Sequence, residues 1–280
     1  MSGLWGTEQK RAVEYRDDLA LTIHQNTPDR YPFLLESAAR NTRLGRFDIL
    51  FSFPGETLTL DHRGTLGGAV SDGSHDFLTA LNGWWQHEHI ELPASDSPFR
   101  GGWFVFLAYE LADQIEPTLG LSPSGPLPVA LAVRIRSGMV VDHATRSAWV
   151  FAEQGHEHLL ADMLEDARTG VSDERSDPGH GSLLASSLIE EPEQRYLDAI
   201  ARAKHYIRDG DIFQANLSRH WQGRLADGVT PVDVYRRLRS RNPGPFAGMM
   251  RWAEQYVLSS SPERLLRIRD GVAETRPIAG

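Results

Sequence analysis

Residues 129–151 read VALAVRIRSGMVVDHATRSAWVF. Three runs rich in β-branched and aromatic residues, Val129–Arg136, Met139–Asp142 and Ala148–Phe151, follow one another with no helical pattern between them. Parallel partners need a crossover of a dozen residues or more, so strands in direct succession pair antiparallel. The stretch predicts an antiparallel meander, with Ser137-Gly138 as one turn, and sets the class as α+β.

The same pattern extends upstream. Phe33–Leu35 and Phe47–Phe51 read as strands, and Pro54-Gly55 turns the chain into Thr57–Leu60. Gly101-Gly102 precedes Trp103–Leu107, an apolar run suited to a buried strand. Asp76 is placed to cap a helix carrying Phe77, Leu81 and Trp84 or Trp85 on one face.

Downstream, residues 169–187 read TGVSDERSDPGHGSLLASS, a linker composition. It divides the chain into a first domain at 1–168, a linker at 169–189 and a second domain at 190–280. The second region opens with a helix whose face is Tyr196, Ile200, Ala203 and Ile207, stopped by Gly210. Ile212–Trp221 then alternates strictly, with Phe213, Ala215, Leu217 and Trp221 against Gln214, Asn216, Ser218 and His220, which predicts a strand. Another helix starts at Thr230-Pro231 and must end by Asn242-Pro243-Gly244. Strands follow at Phe246–Trp252, Tyr256–Leu258 and Leu265–Ile268, and Asp270-Gly271 reads as a hairpin turn into Val272–Arg276.

Composition excludes several classes of function. The 280 residues hold 38 acidic and 29 basic side chains, a net charge of −9, which argues against a nucleic-acid partner. No apolar run approaches the ~20 residues of a membrane span, and the opening MSGLWGTEQKRAVEYRDD lacks the apolar centre of a secretory leader. There is no cysteine, hence no disulfide and no thiolate chemistry. A cytoplasmic protein is expected. His87-Glu88-His89 and His156-Glu157-His158 invite a metal reading, but both sit in or beside helices, where positions two apart diverge, so solvated faces are expected.

Residues alone point only to a polar-ligand enzyme. Gln214, Asn216 and Ser218 fit either a polar pocket or a solvent face. Glu263, in the polar turn Ser259-Ser260-Ser261-Pro262-Glu263, can act as a general acid if burial raises its pKa. Arg276 can hold a carboxylate in a two-pronged grip.

Several ordered motifs carry a resemblance. Gly210-Asp211-Ile212-Phe213-Gln214-Ala215-Asn216-Leu217-Ser218-Arg219 resembles the G-D-x-[FY]-Q-x-x-L-[SA] segment of chorismate-using enzymes, which include anthranilate synthase and aminodeoxychorismate synthase component I. Ser260-Ser261-Pro262-Glu263 and Glu274-Thr275-Arg276-Pro277-Ile278-Ala279-Gly280 are similar to the family's S-S-P-E and E-T-R-P-I-x-G-T motifs. Leu34-Leu35-Glu36-Ser37, Gly45-Arg46-Phe47-Asp48 and Pro98-Phe99-Arg100-Gly101-Gly102 resemble its N-terminal domain.

The resemblance implies an α/β sandwich of large antiparallel sheets with outer helices. It also implies Mg²⁺-assisted replacement or elimination of the C4 hydroxyl of chorismate, with ammonia from a glutamine amidotransferase partner. Members that add water carry a lysine base where Gln214 stands, and a neutral amide cannot activate water in that way. Asn216-Leu217 and Pro245-Phe246-Ala247 resemble the aminodeoxychorismate branch, while Ala279, where some of that branch carry a lysine nucleophile, matches anthranilate synthase. The aminodeoxychorismate branch is the expectation, with anthranilate synthase as its alternative.

By the same matching, Glu263 is the expected general acid, converging with Gln214 on one substrate cavity, and Ala279 fills the nucleophile position without chemistry. Arg276, Ile278 and Gly280 match substrate-binding positions. Leu35, Ser37, Arg46, Phe47, Asn216, Pro245 and Phe246 match positions that bind tryptophan in relatives; core packing is the simpler role for Leu35 and Phe47. The resemblance further implies a stretch beyond Gly280 that carries the Mg²⁺ carboxylates, so the metal ligands are expected outside these 280 residues and the chain by itself is expected to be inactive. A non-catalytic module that binds tryptophan or docks the amidotransferase is the alternative of another class.

Overall fold

The computed structural model describes residues 9–40, 45–68, 76–90, 95–122, 125–170, 181–269 and 271–278. In chain order it contains β1 (Gln9–Val13), α1 (Leu19–Asn26), β2 (Phe33–Glu36), β3 (Phe47–Ser52), β4 (Thr57–Leu60), β5 (Leu66–Gly68), α2 (Phe77–Glu88) and β6 (Gly102–Leu107). A short α3 (Ala112–Ile115), β7 (Ala130–Ile135), β8 (Ser137–Asp142), β9 (Ser147–Ala152) and α4 (Leu159–Thr169) follow. The remainder comprises β10 (Ile189–Glu190), α5 (Glu193–Asp209), β11 (Trp221–Gln222), α6 (Pro231–Arg241), β12 (Phe246–Trp252), β13 (Gln255–Ser261), β14 (Arg267–Arg269) and β15 (Val272–Glu274).

These elements form two units. The first comprises Met1–Glu174 with Asn242–Pro262, and the second Arg175–Arg241 with Glu263–Gly280. The expected boundary near the linker is therefore only one of the dividing points. The β12–β13 hairpin, read from sequence as part of a 190–280 domain, joins the first unit because β12 pairs antiparallel with β2 through Met249↔Leu34 and Gly248↔Leu35. Hairpin periodicity reports which face is apolar and says nothing about which sheet supplies the neighbour.

Within the first unit, β1-β9-β8-β3-β2-β12-β13 make a seven-stranded sheet and β5-β4-β7-β6 a four-stranded one, antiparallel throughout. The fold is α+β, with large antiparallel sheets as expected. Phe33, Phe51 and Met250 from one sheet meet Phe104, Leu131, Val133 and Ile135 from the other in a shared core. Phe33 stacks on Phe104 with ring centroids 4.0 Å apart. On its other face the smaller sheet is covered by α2, whose Phe77, Ala80 and Trp84 pack on Leu58, Leu60, Ala130 and Ala132. The alternation of β7 explains both layers: Leu131, Val133 and Ile135 point between the sheets, while Ala130 and Ala132 leave room for the helix and Arg134 reaches Glu88 of α2. Asp76 caps α2 as expected, accepting from the backbone N–H groups of Leu78 and Thr79.

One expectation fails inside the deciding stretch. β7 and β8 do not pair; a single residue, Arg136, separates them, and the chain passes from the smaller sheet to the larger at that point. Ser137 and Gly138 are not a turn but the start of β8, paired with Ser52 and Phe51 of β3. Gly138 allows that approach, because a Cβ there would sit 2.8 Å from the Leu50 carbonyl oxygen and 3.1 Å from the Phe151 ring. The expected β8–β9 hairpin is present.

In the second unit, α5 and α6 appear where the sequence places them, and Gly210 ends α5 in a left-handed conformation at φ 85°. Thr230 and Asp233 cap the start of α6 reciprocally, the Thr230 N–H donating to the Asp233 carboxylate and the Asp233 N–H to the Thr230 hydroxyl. The β14–β15 hairpin pairs Arg267↔Glu274 and Arg269↔Val272, shorter than expected; Asp270 of its turn lies outside the described residues. The expected strand over Ile212–Trp221 is absent except for Trp221, which pairs with Glu190 in the two-residue ladder of β10 and β11. Alternation marks a segment as suited to a sheet, but a strand also needs a neighbour for its N–H and C=O groups.

Candidate functional site

The polar edge of the seven-stranded sheet gathers most of the residues matched to tryptophan binding. Leu35 lies on β2 between Ile49 of β3 and Gly248 of β12. Ser37 follows β2 directly: its N–H donates to Asp48 Oδ1 at 3.1 Å and its hydroxyl to the Pro245 carbonyl at 3.3 Å. Phe47 opens β3 and Phe246 opens β12, so the ends of three adjacent strands carry Ser37, Phe47 and Phe246 side by side. Ser37 is buried, Phe47, Pro245 and Phe246 are half-buried, and Leu35 and Arg46 are exposed. The Arg46 guanidinium lies 4.4 Å from the Phe47 ring and donates to Asp142 from Nε at 3.2 Å and Nη2 at 2.9 Å. Burial raises the Asp142 pKa, but the Arg46 hydrogen bonds, with further help from Thr145 and the Ala144 N–H, outweigh it and leave the carboxyl below its ordinary value. Asn216 belongs to the other unit.

Sequence reasoning missed what holds this edge in place. Asp48 is 1 % exposed and accepts both from Ser37 and, at 2.7 Å, from the ring of His143, whose other nitrogen lies 3.0 Å from the Tyr15 hydroxyl. Arg40 lies 3.8 Å from Glu36 and 3.9 Å from Asp48, supplying positive charge beside two buried carboxylates. Burial, helped by the hydrogen bond to Asp17, pushes the Tyr15 phenol up to about 12. Tyr15, Asp48 and His143 are far apart in the chain and share no motif, so no local signal could have linked them.

The expected catalytic pair is not enclosed. Gln214 lies in the irregular stretch 211–220 and Glu263 directly follows Pro262, and both side chains are exposed. This corrects the expectation of a buried acid beside an amide-bearing strand. The physical reason lies in the second unit, where Val232 and Tyr235 are the only buried residues among those described, so no dry wall surrounds either group. The polar turn around Glu263 is also corrected: Ser259, Ser260 and Ser261 belong to β13 and pair with Gly248, Ala247 and Phe246. The Ser260 hydroxyl donates to the Asn242 carbonyl. Gly244 is required beneath them, because a Cβ there would come within 2.7 Å of the Ser261 carbonyl oxygen.

Arg276 is exposed and donates to Glu274, a carboxylate that also has Arg264 at 3.7 Å and Arg267 at 3.9 Å. Ile278 is exposed, and Ala279 and Gly280 lie outside the described residues. Among the described residues no group of three or more His, Asp or Glu is arranged to hold a metal ion. Glu88 of the first His-Glu-His triplet instead accepts from Arg134 Nε at 2.9 Å. Nor is any described helix long and apolar enough to cross a membrane.

The architecture matches a solved structure, anthranilate synthase component I from Streptococcus pneumoniae, with a TM-score of 0.65 at 24% identity over 83% of this chain and 54% of that one. The likeness extends to sequence. A family model described as chorismate binding enzyme matches residues 32–280, and the chain belongs to that family. It is 34% identical over 261 residues to anthranilate synthase component 1 of Thermus thermophilus, covering 89% of this chain and 54% of the relative. To aminodeoxychorismate synthase component 1 of Bacillus subtilis it is 29% identical over 269 residues, covering 90% and 54%. An anthranilate synthase component I-like protein of Synechocystis is 34% identical over 185 residues, covering 65% and 37%. The chain thus spans about half the length, or less, of these relatives.

Proposed function

We propose that the protein serves in the amination of chorismate, ammonia from a glutamine amidotransferase partner replacing the C4 hydroxyl to give 4-amino-4-deoxychorismate and water. The observation that carries this reading is Gln214 within Gly210–Arg219. A neutral amide is no base for water, whereas ammonia is a nucleophile without help and needs only to be held. Asn216-Leu217 and Pro245-Phe246 favour the same branch.

Glu263 is assigned the proton that lets the C4 hydroxyl leave as water. That role requires a raised pKa and hence burial, so it belongs to a state in which Glu263 is covered. Arg276 is assigned a substrate carboxylate, which must compete with Glu274 for the same guanidinium. Mg²⁺ would offset the charge of the substrate's carboxylates, and the described residues supply no site for it.

Product analysis tests the reading. The chain is joined in turn to the unmatched part of the Bacillus subtilis and of the Thermus thermophilus relative, then given chorismate, ammonium and Mg²⁺. The expected product of both is 4-amino-4-deoxychorismate, with turnover falling about a hundredfold or more in Glu263→Gln. Anthranilate from both joins would replace this reading with anthranilate synthesis, and no amination by either would overturn it.

A second reading has its own observation, the clustering of Leu35, Ser37, Phe47, Pro245 and Phe246 at one sheet edge. On that reading the first unit binds tryptophan without catalysis. Calorimetry of the 280-residue chain with L-tryptophan is expected to give saturable heat that Ser37→Ala weakens; flat titrations into the millimolar range would remove it.

A further inference from the structure

The Tyr15 hydroxyl faces two acceptors with one proton to give. Its oxygen lies 2.5 Å from Asp17 Oδ1 and 3.0 Å from His143 Nδ1. On the far side of the ring, Nε2 lies 2.7 Å from Asp48 Oδ2, and the imidazole side chain is 6% exposed. A carboxylate only accepts, so Nε2 carries a proton. Two arrangements of the other protons follow. With both ring nitrogens protonated, Nδ1 donates to the Tyr15 oxygen and the hydroxyl proton points to Asp17. With Nδ1 bare, the hydroxyl turns to it, and Asp17 loses that bond.

The charges around the ring are mixed. Asp48 comes from β3, Asp17 from the segment between β1 and α1, and Asp142, at the end of β8, is engaged by Arg46. Arg40, beyond β2, lies 3.6 Å from Asp17, 3.9 Å from Asp18, 3.8 Å from Glu36 and 3.9 Å from Asp48. Arg146, in the β8–β9 turn, has its guanidinium 4.7 Å from the centre of the Tyr15 ring. The Tyr15 hydrogen bond holds the Asp17 carboxyl below its ordinary value, and burial with that same bond pushes the phenol up to about 12. Tyr15 and Asp17 therefore keep their charges between about pH 5 and 8, the range in which histidine is the side chain that ordinarily changes its own. We propose that Tyr15 is a two-position latch set by the His143 ring proton. Turned to Asp17, it ties residues 15–18 to β3 and the end of β8; turned to Nδ1, it releases Asp17. The latch sits at the first turn of α1, because the Leu19 N–H donates to the Arg16 carbonyl and the Thr22 N–H to the Asp18 carbonyl. It depends neither on which product is made nor on whether tryptophan binds.

The 280-residue chain with ¹⁵N-labelled histidine provides the test. NMR of the ring nitrogens reads which of them holds a proton, and His143→Gln identifies the signals. A proton is expected on Nε2 throughout, and on Nδ1 only at the acid end of the range. At the alkaline end the Leu19 and Thr22 amides should exchange about tenfold faster, once the intrinsic effect of pH is divided out. Tyr15→Phe removes the proton that turns, so this step in exchange should vanish while the ring still titrates. Asp17→Asn, at a side chain 60% exposed, should shrink the step, and it decides the matter if Tyr15→Phe does not fold. The proposal is overturned by a proton that stays on Nδ1, or by a ring whose protonation is constant between about pH 5 and 8. A titration with no step in exchange overturns it equally, as does a step that both variants keep.

Discussion

His24 shows what one buried ring does to the first unit. It lies on α1 at 0% exposure, with Nδ1 2.6 Å from the Tyr31 carbonyl oxygen. A carbonyl only accepts, so Nδ1 carries the proton and Nε2 is the buried bare nitrogen. Burial lowers the His24 pKa, and the positive Arg251 lowers it further, against the hydrogen bond to Tyr31. The unfolded chain therefore takes up a proton near pH 6.5 that the folded chain refuses, and stability falls as pH drops through and below that value. Thermal melts between pH 7.5 and 5 should show a loss that His24→Gln reduces; parallel melting curves for the two proteins would contradict it. The burial of Asp48 was out of reach from sequence, since it is held by His143, almost a hundred positions away, and by the Ser37 backbone.

At the scale of elements, local chemistry was legible and partnership was not. The Asp76 cap, the Gly210 stop and the Thr230 start of α6 each depend on groups within four residues, and each appears as read. β7 to β8 went astray because the strand-like run Val129–Arg136 followed by Ser-Gly looks the same whether the chain reverses or walks into another sheet. Gly138 holds the evidence for the second outcome. Gly138→Ala should destabilise the protein by about 1–3 kcal/mol, since the Leu50 carbonyl is part of a paired strand and has little freedom to move. Urea denaturation measures this, and an unchanged midpoint would restore the turn. The strand expected over 212–221 failed for the converse reason: its side-chain pattern is present and its neighbour is not.

Over the whole molecule the two units differ in what holds them. In the first, β7 and β8 are buried along their full lengths and the rings of Phe33, Phe51 and Phe104 interlock between sheets. In the second, Val232 and Tyr235 alone are buried among the described residues. Native-state hydrogen exchange should find β7 and β8 opening only with global unfolding, while α5 exchanges through local events of far lower free energy. Uniform protection across both would refute this. The family was readable because its motifs are local strings; the enclosure of Gln214 and Glu263 was not, because enclosure is a property of everything that surrounds a group.

Arg136 leaves one amino acid of slack between the two layers of the first unit. Neither layer can drift or slip by a pleat unless its neighbour follows, so the sandwich must assemble as a single cooperative event. A loop spliced in at that joint would uncouple the layers and deprive each of the other as a template, whereas the same loop at the β8–β9 hairpin would merely lengthen an exposed corner.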